Sequence, residues 1–268
     1  MNLYNKFKKG LLTAASSFSL IWKNKKLLVY LGIPILAHII LEILIHNINF
    51  DLSCFFSQKN LVIRMFKMAG PYKLLNYIRI IFVYLAHLAI MNFGYIALTH
   101  HTSMLCKKKK VSVKDAIIAA LNRIKTALIW TLFLLIPTVT FYAINTCNQK
   151  IESSFTQILY IIFISALLAT WSLVTSFVIQ SITINSLGVI ASIRKSIQII
   201  KNVFLEFLGT IFWLGLIGIL SATPFMLLEK YANKFYLITI PLALLIYCTI
   251  TSAYTVAKTL LYLDFKKR

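Results

Sequence analysis

Acidic side chains are what this sequence has least of. Its 268 residues hold 7 Asp and Glu against 28 Lys and Arg. Several of the acids fall in loops, so hydrolysis driven by paired carboxylates has little to work with. The four cysteines, Cys54, Cys106, Cys147 and Cys248, show no CxxC spacing, and neither zinc nor a redox pair is signalled. No Ser-His-Asp set, Walker loop or Rossmann turn occurs. Residues 1–26 have no unbroken apolar core and no small-residue cleavage site. A signal peptide is therefore not expected, and the first span is expected to be retained.

Apolar residues fill the space that these absences leave. They make up 59% of the chain, with a mean hydropathy of +0.81, more than a soluble domain of this size can bury. The expected class is an all-α polytopic membrane protein. The net charge of +21 and pI near 9.9 could suit a nucleic-acid partner. The cations sit instead in the gaps between apolar runs, where membrane-flanking charge belongs, and nucleic acid is excluded on that ground. The expected partners are membrane lipids with anionic headgroups. No cofactor or metal is implied.

The stretch Leu187 to Trp213 sets the pattern. Ile190, Ile193, Ile197, Ile200 and Phe204 recur at helical spacing, with Arg194, Lys195, Gln198, Lys201 and Asn202 opposite. Such a helix lies in a membrane interface, apolar side down, with its cations toward anionic headgroups. It then enters a run long enough to cross a bilayer. The spacing predicts interfacial helices at about 3–26, 60–69, 111–126 and 187–203. In the first, Phe7, Leu11, Ala14, Phe18 and Ile21 share a face. In the third, Ser112 and Asp115 fit a capping box, and Val113, Ile117, Ala120, Leu121, Ile124 and Leu128 form the stripe. Six spans are expected, at about 27–46, 74–99, 127–144, 158–181, 204–228 and 235–256, in a single domain. Pro34, Pro137 and Pro224 fall in spans one, three and five, each preceded by a basic helix, which suggests three hairpins in one orientation. Alternate connections divide the 28 cations 20 to 8, so both termini are expected on the cytoplasmic side.

Three segments carry a resemblance: VIQSITINSLGVIASIRKSIQIIKNVFLEFLG, SFSLIWKNKKLLVYLGIPI and YIALTHHTSMLCKKKKVSVKDAIIAALNRIKTALIW. Together they resemble an uncharacterised bacterial family of six-helix integral membrane proteins. Ala191, Arg194, Ser196 and Glu206 stand at the family's positions, with Val203-Phe204 where it tends to have tryptophan. The layout is also distantly similar to the membrane domain attached to some glycerophosphodiester phosphodiesterases, whose catalytic domain this chain lacks. The resemblance implies a bacterial inner membrane and no established activity.

Few residues could carry chemistry. His38, Glu42 and His46 follow at i, i+4 and i+8 along span one, where a carboxylate between imidazoles could relay protons or hold a metal ion. Arg79 at the start of span two could instead pair with Glu42. His87 lies mid-span and is expected to face a neighbouring helix. His100, His101 and Cys106 read as an interfacial polar cluster, because adjacent histidines point apart and no fourth ligand is evident. Glu206 stands where the basic helix enters span five and could pair with Lys201, Lys195 or Lys125 to fix the elbow. Cys54 and Cys147 both fall outside in this topology, where an oxidising exterior permits a bridge. The candidate lipid contacts are Lys107, Lys108, Lys109, Lys110, Arg194, Lys195 and Lys201. The expected function is non-enzymatic: engagement of anionic lipid by a membrane scaffold or assembly factor. The alternative is a small-solute or ion transporter with its pathway among the proline-kinked spans.

Overall fold

A computed structural model describes residues 2–46, 73–148, 154–231 and 236–268. Among them every regular element is a helix. In chain order these are α1 (Leu3–Lys23), a 3₁₀ turn (Lys25–Leu28), α2 (Val29–His46), α3 (Lys73–Cys106), α4 (Val113–Leu121), α5 (Ile124–Asn148), α6 (Ser154–Thr175), α7 (Val178–Asn185), α8 (Val189–Tyr231) and α9 (Tyr236–Lys267). Three stretches are long and apolar enough to cross a membrane: Ile162–Asn185, Val189–Ser221 and Pro241–Lys267. A fourth arises if Val113–Leu121 and Ile124–Pro137, bent by 68°, form one broken span. This is the helix content of a multi-pass membrane protein. The expected interfacial helix at 60–69 lies outside the described residues.

Local chemistry sets the breaks. Ser112 and Asp115 form the expected capping box: the Ser112 hydroxyl accepts from the Asp115 N–H at 3.1 Å, and the Asp115 carboxylate accepts from the Ser112 N–H at 3.0 Å. The helix expected at 111–126 is interrupted, because the chain turns at Asn122 and Arg123 and α5 starts at Ile124 in a new direction. The helix of the span expected at 158–181 is also interrupted by a turn, although Ile162–Asn185 stays one stretch long enough to cross a membrane. α6 stops at Thr175, and the Phe177 N–H takes the Ser196 hydroxyl of α8 as its acceptor at 3.0 Å. Where the basic helix was expected to meet span five, α8 runs on continuously but kinks: Val203 has φ −115° and ψ 17°.

The helices have three faces rather than two. In the first part of α8 the buried residues are Val189, Ser192, Ser196, Ile199 and Val203, while Ile190 of the expected stripe is 62% exposed. In α4 and α5 the buried set is Ala116, Ala120, Ala127, Trp130 and Thr131; Ile117, Leu121, Ile124 and Leu128 stay outside. α1 buries Gly10, Ala14, Ser17 and Ile21 and leaves Tyr4, Leu12 and Trp22 outside. These three segments thus turn a face rich in small residues, with a few large ones such as Ile21, Trp130 and Ile199, to their neighbours, an apolar face away from the core, and a basic face elsewhere. Lipid is as apolar as leucine, so helices in a membrane associate through close approach, which small side chains permit.

Two glycines mark the crossing of α1 and α8. α1 crosses α8 so tightly that a Cβ on Gly10 would overlap the Glu206 carbonyl oxygen, and one on Gly209 would press on the Phe7 carbonyl oxygen. The Thr210 hydroxyl, 3.0 Å from the Gly10 carbonyl, locks the crossing. α3 is the central post and touches α2, α4, α5, α7 and α9. From Ile96 to Ser103 it is buried on every side, with only His100 half-exposed. Midway along it the Asn92 amide donates to the Thr131 hydroxyl of α5 at 3.0 Å, both buried.

The breaks gather at one end. Cys248 of α9 approaches the Leu28 carbonyl at 3.4 Å, Tyr30 meets His101, Arg123 meets Ser186, and Asn185 meets Tyr262. The start of α2, the end of α3, the α4–α5 bend, the α7–α8 turn and the tail of α9 therefore lie together.

Candidate functional site

The most developed cluster is an ion network where α1, α8 and α9 meet. The α8 kink at Val203 is followed one turn later by Glu206, which is 0% exposed. The Arg268 guanidinium donates from Nη2 to both Glu206 oxygens, each at 2.8 Å. The same nitrogen donates to Asp264 at 2.7 Å, one turn back on α9. Lys9 of α1 closes the set, its Nζ 2.6 Å from Asp264. A cap of Phe177, Ile199, Val203, Phe207, Leu261 and Tyr262 packs nearby. The bonds to Glu206 and then to Asp264 raise the already high pKa of Arg268 further. A buried carboxylate so engaged is a clamp, not a general base.

This corrects the expected partner of Glu206. The ion pair is with Arg268, not with Lys201, Lys195 or Lys125. The kink turns Glu206 inward toward α9, while Lys201 stays on the exposed face. Lys195 donates to Gln198 at 2.9 Å and lies 5.2 Å from the centre of the Phe265 ring. Sequence reasoning missed Lys9, Asp264 and Arg268. The i, i+4 spacing of Asp264 and Arg268, in a chain with only 7 acids, was the available signal.

The polar face of span one is placed only in part. His38, Glu42 and His46 occupy the last turns of α2, and Arg79 the second turn of α3. The side chains of all four lie outside the described residues, as do Cys54 and the Cys147 side chain. His87 is half-buried on α3. The cluster expected at His100 and His101 is divided. His101 is buried and its Nδ1 lies 2.6 Å from the Tyr30 hydroxyl, which joins α3 to α2. His100 stays at the rim, where burial and then Lys107 hold its pKa below the usual imidazole range, Arg123 adding to this and Asp115 opposing it. Cys106 is a free, exposed thiol. Among the described residues no group of three His, Cys, Asp or Glu side chains could hold a metal ion.

The cations expected to meet lipid are where an aqueous or headgroup layer could reach them. Lys107, Lys108, Lys109 and Lys110 are exposed in the turn after α3, and Arg194 and Lys201 are exposed on α8. Lys195 is half-buried there. One further feature had no sequence signal. Gln180 of α7 is 0% exposed, and neither of its amide atoms has a hydrogen-bond partner. No family model, curated protein or solved structure matches this chain.

Proposed function

We propose that this chain is a non-enzymatic integral membrane protein with six spans in three hairpins, which engages anionic lipid as a scaffold or assembly factor. Its basic end would face the cytoplasm in a bacterial inner membrane. One observation carries the reading. At the end where the breaks gather, each described acid is already engaged within the chain: Asp115 by its own helix cap, Glu206 by Arg268, Asp264 by Arg268 and Lys9. Lys107 to Lys110, Arg194, Lys201 and Lys267 have no carboxylate partner among the described residues. Anionic headgroups would supply the missing charge, each cation near such a surface contributing about 1 kcal/mol.

Lipid retention tests this. Protein purified in mild detergent should keep phosphatidylglycerol in preference to phosphatidylcholine. Replacing Lys107 to Lys110, Arg194, Lys195 and Lys201 with Gln should weaken that preference; equal retention of both lipids by the native protein would refute it. For topology, an impermeant thiol reagent added to intact cells should label a cysteine at Ser154 and spare one at Lys109.

The transport reading has one observation of its own. An amide with both atoms unbonded inside a bundle is costly, and water or a polar solute would relieve it. Solute flux in proteoliposomes that disappears in Gln180→Leu would favour that reading over the scaffold.

A further inference from the structure

The candidate lipid contacts lie on two separate segments, but a different set of groups converges. Arg123, in the α4–α5 bend, donates from Nη2 to the Ser186 hydroxyl in the α7–α8 turn. Asn185, next to it, accepts from Lys266 of α9 at 3.2 Å and donates to the Tyr262 hydroxyl at 2.6 Å. The α4–α5 bend, the α7–α8 turn and the end of α9 thus bring Arg123 and Lys266 to one rim, with Lys267 next to Lys266 in the chain.

The rim is uncompensated. Arg123 and Lys266 are met there by a hydroxyl and an amide, both neutral. The carboxylate that acts on His100 belongs to Asp115, which is committed to Ser112. The α7–α8 turn is strained as well, since Ser186 has φ 58°. Residues with a Cβ rarely adopt that conformation unless the surroundings impose it. Beside Arg123, the exposed Ile124 and Leu128, four residues apart on α5, form an apolar strip, with the exposed Leu121 across the bend.

We propose that this rim holds the phosphate of a single anionic phospholipid, with an acyl chain along the strip of Ile124 and Leu128. The inference rests on the membrane-lipid reading above and gives it an address. The planar fork of an arginine suits a phosphate's oxygens, and the lysines add field without fixing geometry. The apolar strip is what a lipid would use and a free phosphate would not. Ser186 is the positioning residue, since its hydroxyl accepts from Arg123.

Native mass spectrometry with titrated phosphatidylglycerol is the test. The unaltered protein should retain one molecule preferentially over phosphatidylcholine. Arg123→Gln should weaken that binding about fivefold, and Lys266→Gln with Lys267→Gln about as much for each charge removed. Lys8→Gln with Lys23→Gln, two exposed cations outside both sets, should change it less than about twofold. Ser186→Gly suits the left-handed backbone, so it should keep its melting temperature and still lose about threefold in affinity. Equal losses in the Arg123 and Lys8/Lys23 variants would overturn the site and leave the general lipid reading standing. No preference for phosphatidylglycerol in the unaltered protein would end both. Competition by soluble glycerol phosphate at matched concentration would overturn the lipid as occupant.

Discussion

Two halves of the same helices behave differently. Near the gathered breaks, α8 buries Ser196, Val203, Glu206, Phe207, Gly209 and Thr210; three turns later Ile219 is 67% and Leu220 64% exposed. α3 is enclosed from Ile96 to Ser103, whereas α6 leaves Leu159, Ile162, Phe163 and Leu167 outside. The enclosed half packs serine, threonine, alanine, glycine and one ion network among large apolar side chains such as Leu31, Leu98, Phe177, Phe207 and Tyr262. The open half shows leucine, isoleucine and phenylalanine to the outside. A soluble protein would hide such side chains and would rarely enclose so many polar ones. In a membrane, large apolar side chains gain little by leaving lipid, so helices join where side chains are smallest or where polar groups can pair.

The sharpest way to break this contrast is to unbalance the buried clamp. Arg268→Gln leaves Glu206 charged and enclosed, and should lower stability by about 3 kcal/mol, the low end for breaking a buried pair, since the Arg268 side chain is itself 39% exposed. Glu206→Gln should cost less, because Arg268 keeps Asp264. The double variant should regain part of the loss; thermal unfolding in detergent reads all three, and a double loss equal to the sum of the singles would refute the clamp.

The next largest effect compares one residue type in both halves. Gly10→Leu forces a side chain against the Glu206 carbonyl and the Thr210 N–H and should cost about 1–3 kcal/mol. A Cβ on Gly215 would meet nothing within 4 Å, and Gly215→Leu should be close to neutral. Similar melting temperatures for the two would mean that the enclosed half is not the tight one.

A smaller effect tests pairing by polar groups. Asn92→Leu and Thr131→Val should each weaken the α3–α5 contact, with a coupling of about 0.6 kcal/mol between them in a double-mutant cycle. Additivity within error would remove this bond from the account.

The smallest effect is local. Its bonds from Ser112 depress the pKa of the exposed Asp115 below the usual carboxylate value. A carboxylate with a depressed folded pKa adds stability above its unfolded pKa and loses it as pH falls through the folded one. Amide exchange in the first turn of α4 should therefore speed up, after correction for intrinsic rates, as pH drops below about 4. Ser112→Ala should remove that dependence.

Much of the helix layout could be read from hydropathy. The cap at Ser112 and Asp115 lies where its spacing puts it, and the boundary expected after residue 203 coincides with the Val203 kink. Which face meets protein could not be read this way. Ile190 and Ser192 are both compatible with burial, and hydropathy ranks the wrong one first, because it measures transfer from water and not from lipid. The clamp was hidden for another reason. Glu206 has three cations on its own helix or nearby, and nothing local says that the one it takes is 62 residues away. The positive-φ positions themselves, Lys108 and Ser186, are not glycines that would announce them.

The seating of α1 also sets a timetable for biogenesis. Lys9 and Asp264 are 255 residues apart, and Gly10 and Thr210 are 200 apart. At roughly 5–20 residues per second, α1 leaves the ribosome on the order of 10–50 s before the last part of its seat exists. Its glycine and serine face waits for α8 through most of that interval. The first helix made is then among the last to be fully seated, and a chain interrupted before α9 would carry α1 without the Lys9–Asp264 pair.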